Sequence, residues 1–167
     1  MDARIIKTLF LLIFAFPFSV LAQKTCNGEQ YNFFEPIVGS WEKYDITGDN
    51  KKHIGTLVTQ MSDHGCTLRQ YFTSADQSLT FQSLAYPHRD GYWREYYLFS
   101  DHREVPFYKW STTADTLIIE HIQTKTTPQR RWVIFDLSGD SYFVSDEESH
   151  DGGLNWQRRE LVHTIRK

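Results

Sequence analysis

Cysteine is nearly absent. The 167 residues hold two, Cys26 and Cys66, and neither lies in a Cys-x-x-Cys arrangement, which excludes redox catalysis or zinc binding of that type. A charge excess of one sign is also missing: 18 basic and 21 acidic side chains give a formal net charge of −3, spread along the chain. Nothing in that balance argues for nucleic acid. No apolar run of membrane-spanning length follows residue 22, and no helical period of 3.6 emerges beyond it. Also missing are a Gly-x-Ser-x-Gly elbow, a phosphate-binding loop and a dinucleotide fingerprint.

The first 22 residues read as a signal peptide. Arg4 and Lys7 give a positive start, residues 9–20 are almost wholly apolar, and Val20-Leu21-Ala22 offers a cleavage site. The apolar core, about a dozen residues, is too short to span a bilayer comfortably as a helix, the alternative being a retained membrane anchor. Cys26 lies beyond the position a lipoprotein would use. The expectation is export to the periplasm or the medium, with no spanning segment left after signal removal. Residues 23–35 then form an N-terminal extension, and residues 36–167 form one domain with one core. In an oxidising compartment Cys26 and Cys66 can pair, tying the extension to the third strand. The alternative is two separate thiols, with Cys66 packed as a small hydrophobe.

From residue 38 onward short strands alternate with turn chemistry. Strands are expected over 38–46, 53–61, 66–73, 78–86, 92–99, 106–111, 117–124, 130–137, 141–148 and 156–166, separated by clusters such as Thr47-Gly48-Asp49-Asn50 and Ser138-Gly139-Asp140. About ten strands with hairpin-length connections indicate an up-and-down antiparallel meander, since parallel pairing needs longer crossovers. The last strand places charges on both faces: Arg158 and Glu160 on one, Arg159 and His163 on the other. An outer-membrane barrel needs an unbroken apolar outer band, so a soluble barrel with a partly polar lumen is expected.

Two motifs mark the ends. Gly39-x-Trp41, preceded by Phe33, Phe34, Pro36, Ile37 and Val38, heads the first strand and is similar to the opening motif of lipocalins. That resemblance implies a tryptophan across the closed end of the barrel, covered by a basic residue near the C-terminus, with Arg166 preferred over Arg158 and Arg159. The second, Ser149-His150-Asp151-Gly152-Gly153-Leu154-Asn155-Trp156, resembles the Asp-box hairpin of sialidase-type propellers. There Ser149, Asp151, Gly153 and Trp156 would have structural roles. A propeller needs several copies at blade-length period, and there is one. Together with Gly65-Cys66-Thr67-Leu68 and Tyr92-Trp93-Arg94-Glu95-Tyr96, these motifs resemble a family of exported bacterial lipocalin-like (calycin-type) proteins of unknown function. The resemblance covers nearly all of residues 33–166 and implies an all-β, single antiparallel up-and-down β-barrel of about ten strands. The chain departs from the pattern over residues 101–106, where a glycine turn is expected.

The middle strands carry the candidate chemistry. Arg69 and Tyr71 share a face of the third strand; Trp93, Glu95 and Tyr97 share one of the fifth; the eighth offers Trp132. Facing inward, they would make an aromatic cavity with a few polar anchors, suited to a small hydrophobic or amphipathic ligand. Which alternate set faces inward is open, because a slip of one residue inverts it. The bland reading is that these aromatics fill the core. Of seven histidines, His121 and His163 lie in strands, yet no metal-ligand spacing occurs. No catalytic set, metal site or cofactor is assigned. The leading expectation is non-covalent ligand binding. The alternatives are an enzyme working inside the barrel through Glu95 or Arg94, and an adaptor that meets a protein partner on its outer surface.

Overall fold

The computed structural model describes residues 33–62, 65–89, 91–101, 108–113, 115–121 and 128–167. The expected signal peptide, Cys26 with its proposed bridge to Cys66, and the turn at 102–106 lie outside them. The described residues form β1 (Gly39–Asp45), β2 (Lys52–Met61), β3 (Leu68–Ser74), β4 (Thr80–Pro87), β5 (Trp93–Phe99), β6 (Tyr108–Thr113), β7 (Thr116–His121), β8 (Gln129–Phe135), β9 (Ser141–Ser149) and β10 (Gln157–Arg166). Each strand pairs antiparallel with the next, and β10 returns to β1, closing a ten-strand barrel. At the seam Trp41 stands opposite Arg166 and Asp45 opposite Val162. Closure leaves neither terminal strand, β1 or β10, as a free edge.

The alternation of a half-buried strand selects the inward set. On β2 it is Gly55, Leu57 and Thr59, on β3 Leu68 and Gln70, and on β5 Trp93, Glu95 and Tyr97. Two bulges interrupt it. One shifts the β1–β2 register between Lys43 and Tyr44. The other lies in β10, so that Arg158 pairs with Glu147 while Glu160 pairs with Asp146. The expectation that Arg158 and Glu160 share a face is therefore corrected: the extra residue turns Glu160 inward with Asp146.

One end of the barrel is packed shut. A short 3-10 turn, Glu35–Ile37, precedes β1 and lays Phe34 and Ile37 into the opening, both fully buried. Phe34 meets the rings of Trp93 and Trp110 edge-on at 4.6 and 4.9 Å. Three residues are too few to show a helical period, and Pro36 suits the start of such a turn because its missing N–H has no partner to lose there. Trp41 crosses the same end. Its Nε1 donates to the Ile37 carbonyl at 2.9 Å, Tyr142 meets it edge-on at 4.8 Å, and the Arg166 guanidinium lies 4.4 Å over its ring. Gly39 makes room for that arginine: a Cβ there would stand 2.5 Å from Arg166 Nη1, at φ +143.

The Asp-Gly-Gly hairpin between β9 and β10 is built from its own side chains. Ser149 Oγ donates to Asp151 Oδ1 (2.7 Å) and accepts from the Gly153 N–H (2.8 Å), while Asp151 accepts from the amides of Leu154 and Asn155. Gly152 and Gly153 both have positive φ, which glycine adopts without steric cost. Trp156 Nε1 donates to the Gly153 carbonyl, and the Arg131 guanidinium covers the indole at 4.1 Å. Ser149 is buried, so Ser149→Ala leaves the Gly153 N–H without its acceptor. The expected loss is about 1–2 kcal/mol, read as a lower denaturation midpoint at unchanged m-value.

Candidate functional site

The lumen has two halves. The lower half, beside Trp41, is solid core made of Phe34, Leu68, Ala85, Trp93, Trp110 and Leu117. The upper half holds a cavity of about 390 Å³, within the size range of small-molecule sites. Its apolar wall comes from β4, β5, β8 and β9, chiefly Phe81, Tyr97, Phe99, Trp132 and Val144. The rings form one connected group: Phe81 to Tyr97 at 5.2 Å, Tyr97 to Tyr108 at 5.1 Å, and Tyr108 to Trp132 at 4.7 Å. Rings braced on each other lose little freedom when a ligand arrives, which suits a preformed pocket.

Below the chamber a buried polar belt divides it from the core. Gln70 Nε2 donates to Thr59 Oγ1 and Ser83 Oγ to Gln70 Oε1, each at 3.3 Å. Next to them Glu95 is fully buried; its Oε2 accepts from Trp110 Nε1 at 2.7 Å and from the Tyr97 hydroxyl at 3.1 Å. Burial pushes this carboxyl up to about 7, against the opposing hydrogen bonds from Ser83, Trp110 and Tyr97. Burial likewise holds the Tyr97 phenol well above its ordinary value.

Charged side chains cross the chamber on four adjacent strands, β1, β10, β9 and β8: Lys43, Glu160, Asp146 and Arg130. Arg130 Nη2 bonds Asp146 Oδ2 at 2.6 Å. Glu160 stands at the exposed rim. Lys43 is half-buried, and lost hydration brings it down to about 8, with Glu160 pulling the other way.

The residues singled out from sequence separate here. Tyr97 and Trp132 line the chamber. Trp93 and Glu95 also point inward but sit in and just above the packed half, against Phe34 and Trp110. Arg69 and Tyr71 face outward, which corrects their expected place in the lumen. Gln70 is the buried residue between them, so the polar residue went in and the aromatic one out. With Gln82, Leu84, Tyr96 and Leu98 they line an outer groove. His121 packs beside Tyr108 with its ring tilted by 45°, and His163 stacks on Phe143. No group of three His, Cys, Asp or Glu side chains gathers among the described residues.

Sequence reasoning missed Lys43, Gln70, Arg130 and Asp146 as lumen residues. One available signal was period two read forwards from Trp41, which puts Lys43 on the face of that indole. On β8 the expected lumen residue Trp132 puts Arg130 on its own face by the same count, whereas β9 offered no such anchor.

No family model matches the chain, and no curated protein does. Among solved structures it is similar to the S-type phycobiliprotein lyase CPES from Guillardia theta, with 13% identity over 81% of this chain and 91% of that one, and a TM-score of 0.45. At that level of likeness nothing about chemistry passes from one to the other.

Proposed function

We propose that this is an exported lipocalin-like barrel that holds a small hydrophobic or amphipathic molecule non-covalently in its upper chamber. The observation that supports it is the cavity of about 390 Å³, walled by connected aromatic rings above a core that fills the other half of the lumen. Tyr97 and Trp132 would touch the ligand body. Trp93 and Glu95 would support the floor, and Arg69 and Tyr71 would take no part. Export rests on the charged and apolar pattern of residues 1–22. In that compartment a Cys26–Cys66 bridge would fasten the segment leading to Phe34.

A panel of small amphipathic molecules should raise the melting temperature and change the tryptophan emission, because Trp132 is in the wall. Val144→Phe, which narrows the chamber from β9, should weaken every positive hit at least about tenfold. A panel with no hits, or hits indifferent to Val144→Phe, overturns the reading. The second reading is an adaptor that meets a protein partner on the outer wall of β3–β5, where Tyr71, Leu84 and Leu98 are exposed. Partner binding of that kind should survive Val144→Phe and fail on Leu98→Lys.

A further inference from the structure

We propose that the chamber selects a molecule with one carboxylate on an apolar body, the carboxylate being received by Lys43 Nζ. This rests on reading the chamber as a ligand site and adds the class of ligand. The charged residues of the chamber are not equivalent. Arg130 is already neutralised by Asp146 at 2.6 Å. Glu160 is exposed at the rim, where water satisfies it. Lys43 has neither arrangement. It lines the chamber with an aromatic ring as its described neighbour, Nζ lying 5.7 Å from the Phe72 centroid. Among the described residues no carboxylate stands within ion-pair distance of it.

An ammonium in a largely apolar wall without a counter-charge is costly, and an incoming carboxylate removes that cost while gaining a charge-assisted hydrogen bond. The lowered proton affinity of Lys43 agrees with an unmet charge. At neutral pH it remains mostly protonated. A cationic head group would meet Lys43 as a repulsion, and the charge of Asp146 is already compensated by Arg130 even though its Oδ1 has no partner among the described residues. A neutral ligand would leave the ammonium as it was. The apolar remainder of the ligand would run across the chamber towards Phe81, Phe99 and Trp132.

Among the described residues Glu160 is the competitor, since it is the carboxylate whose field reaches Lys43. The two residues therefore have opposite effects. Lys43→Met should weaken a carboxylate ligand, and Glu160→Gln should strengthen it or leave it unchanged. A residue that merely supports the fold would not produce that split.

The test is isothermal titration of the mature chain at pH 7 with decanoic acid and with decanol, which share a tail and differ in the head. The wild type should bind decanoic acid at least about tenfold tighter than decanol. Lys43→Met should bring the two within about twofold of each other, Lys43→Arg should retain the preference, and Glu160→Gln should not reduce it. Equal binding of acid and alcohol by the wild type overturns the inference while leaving the chamber as a ligand site. So does a Lys43→Met variant, folded by circular dichroism, that keeps the preference. If neither compound binds the wild type, the chamber reading fails and this inference fails with it.

Discussion

Trp41→Ala should lower the stability of the barrel by roughly 3–5 kcal/mol, the range for removing a large aromatic from a packed core. The lost ring is fully buried and touches three separate parts of the chain at once: the Ile37 carbonyl ahead of β1, Tyr142 on β9, and Arg166 at the end of β10. Removing it leaves a cavity, deprives the Ile37 carbonyl of its donor, and uncovers the β1–β10 seam. A domain of this size is held by about 5–15 kcal/mol in total, so the loss is a large share of the whole. Chemical denaturation should show a midpoint shift with little change in m-value if the fold persists. Arg166→Met should cost less, about 1–2 kcal/mol, because the exposed guanidinium gives up its contact with the indole and its hydrogen bonds to the Gly139 and Val38 carbonyls. The two effects should not add fully: once Trp41 is gone, Arg166→Met should lose only its carbonyl hydrogen bonds and cost less than it does in the wild type. A Trp41→Ala loss below about 1 kcal/mol, or full additivity with Arg166→Met, would show that the seam does not depend on this contact.

Much of the barrel is legible in the sequence because its signals are local. Turn clusters at 47–50, 74–77 and 138–140 bound the strands, and Gly39-x-Trp41 marks where closure begins. The facing of the strands is much less legible. On β3 an aromatic residue, Tyr71, points out and an amide, Gln70, points in, so hydrophobicity alone selects the wrong face. The reason is tertiary: Gln70 is satisfied by Thr59 on β2 and Ser83 on β4, partners that no single strand reveals. On β10 the bulge between Arg158 and Glu160 breaks the count of two, so parity read from Trp156 misplaces Glu160. Glu95 was legible as a polar residue among aromatics, but its depth depends on Phe34 and Trp110 closing beneath it. The chamber exists where the plug does not reach, which is a property of the closed barrel rather than of any segment.

Glu95→Gln should stabilise the protein above neutral pH and have little effect near pH 4.5. In the unfolded chain this carboxyl titrates near its ordinary 4.5, whereas burial raises it to about 7 in the folded barrel. Below 4.5 both states hold the proton and the group favours neither. Between 4.5 and 7 the unfolded chain releases it while the folded chain keeps it, so stability falls as pH rises. Above 7 both are ionised and the folded state carries the full cost of a buried carboxylate, on the order of 3 kcal/mol. Glutamine cannot ionise, and its side-chain carbonyl can still accept from Trp110 Nε1 and the Tyr97 hydroxyl. The difference between variant and wild type should therefore grow from near zero at pH 4.5 to a plateau above pH 7, where the variant should melt on the order of 10 °C higher. Other titrating groups cancel in that difference because both chains share them. Glu95→Ala is the contrasting change: it empties the site and strands a buried indole N–H, so it should destabilise at every pH. A Glu95→Gln difference that stays flat from pH 5 to 8 would mean that the carboxyl is not held neutral by its burial. The belt under the chamber would then carry a negative charge at pH 6, opposing the acidic head group proposed for Lys43.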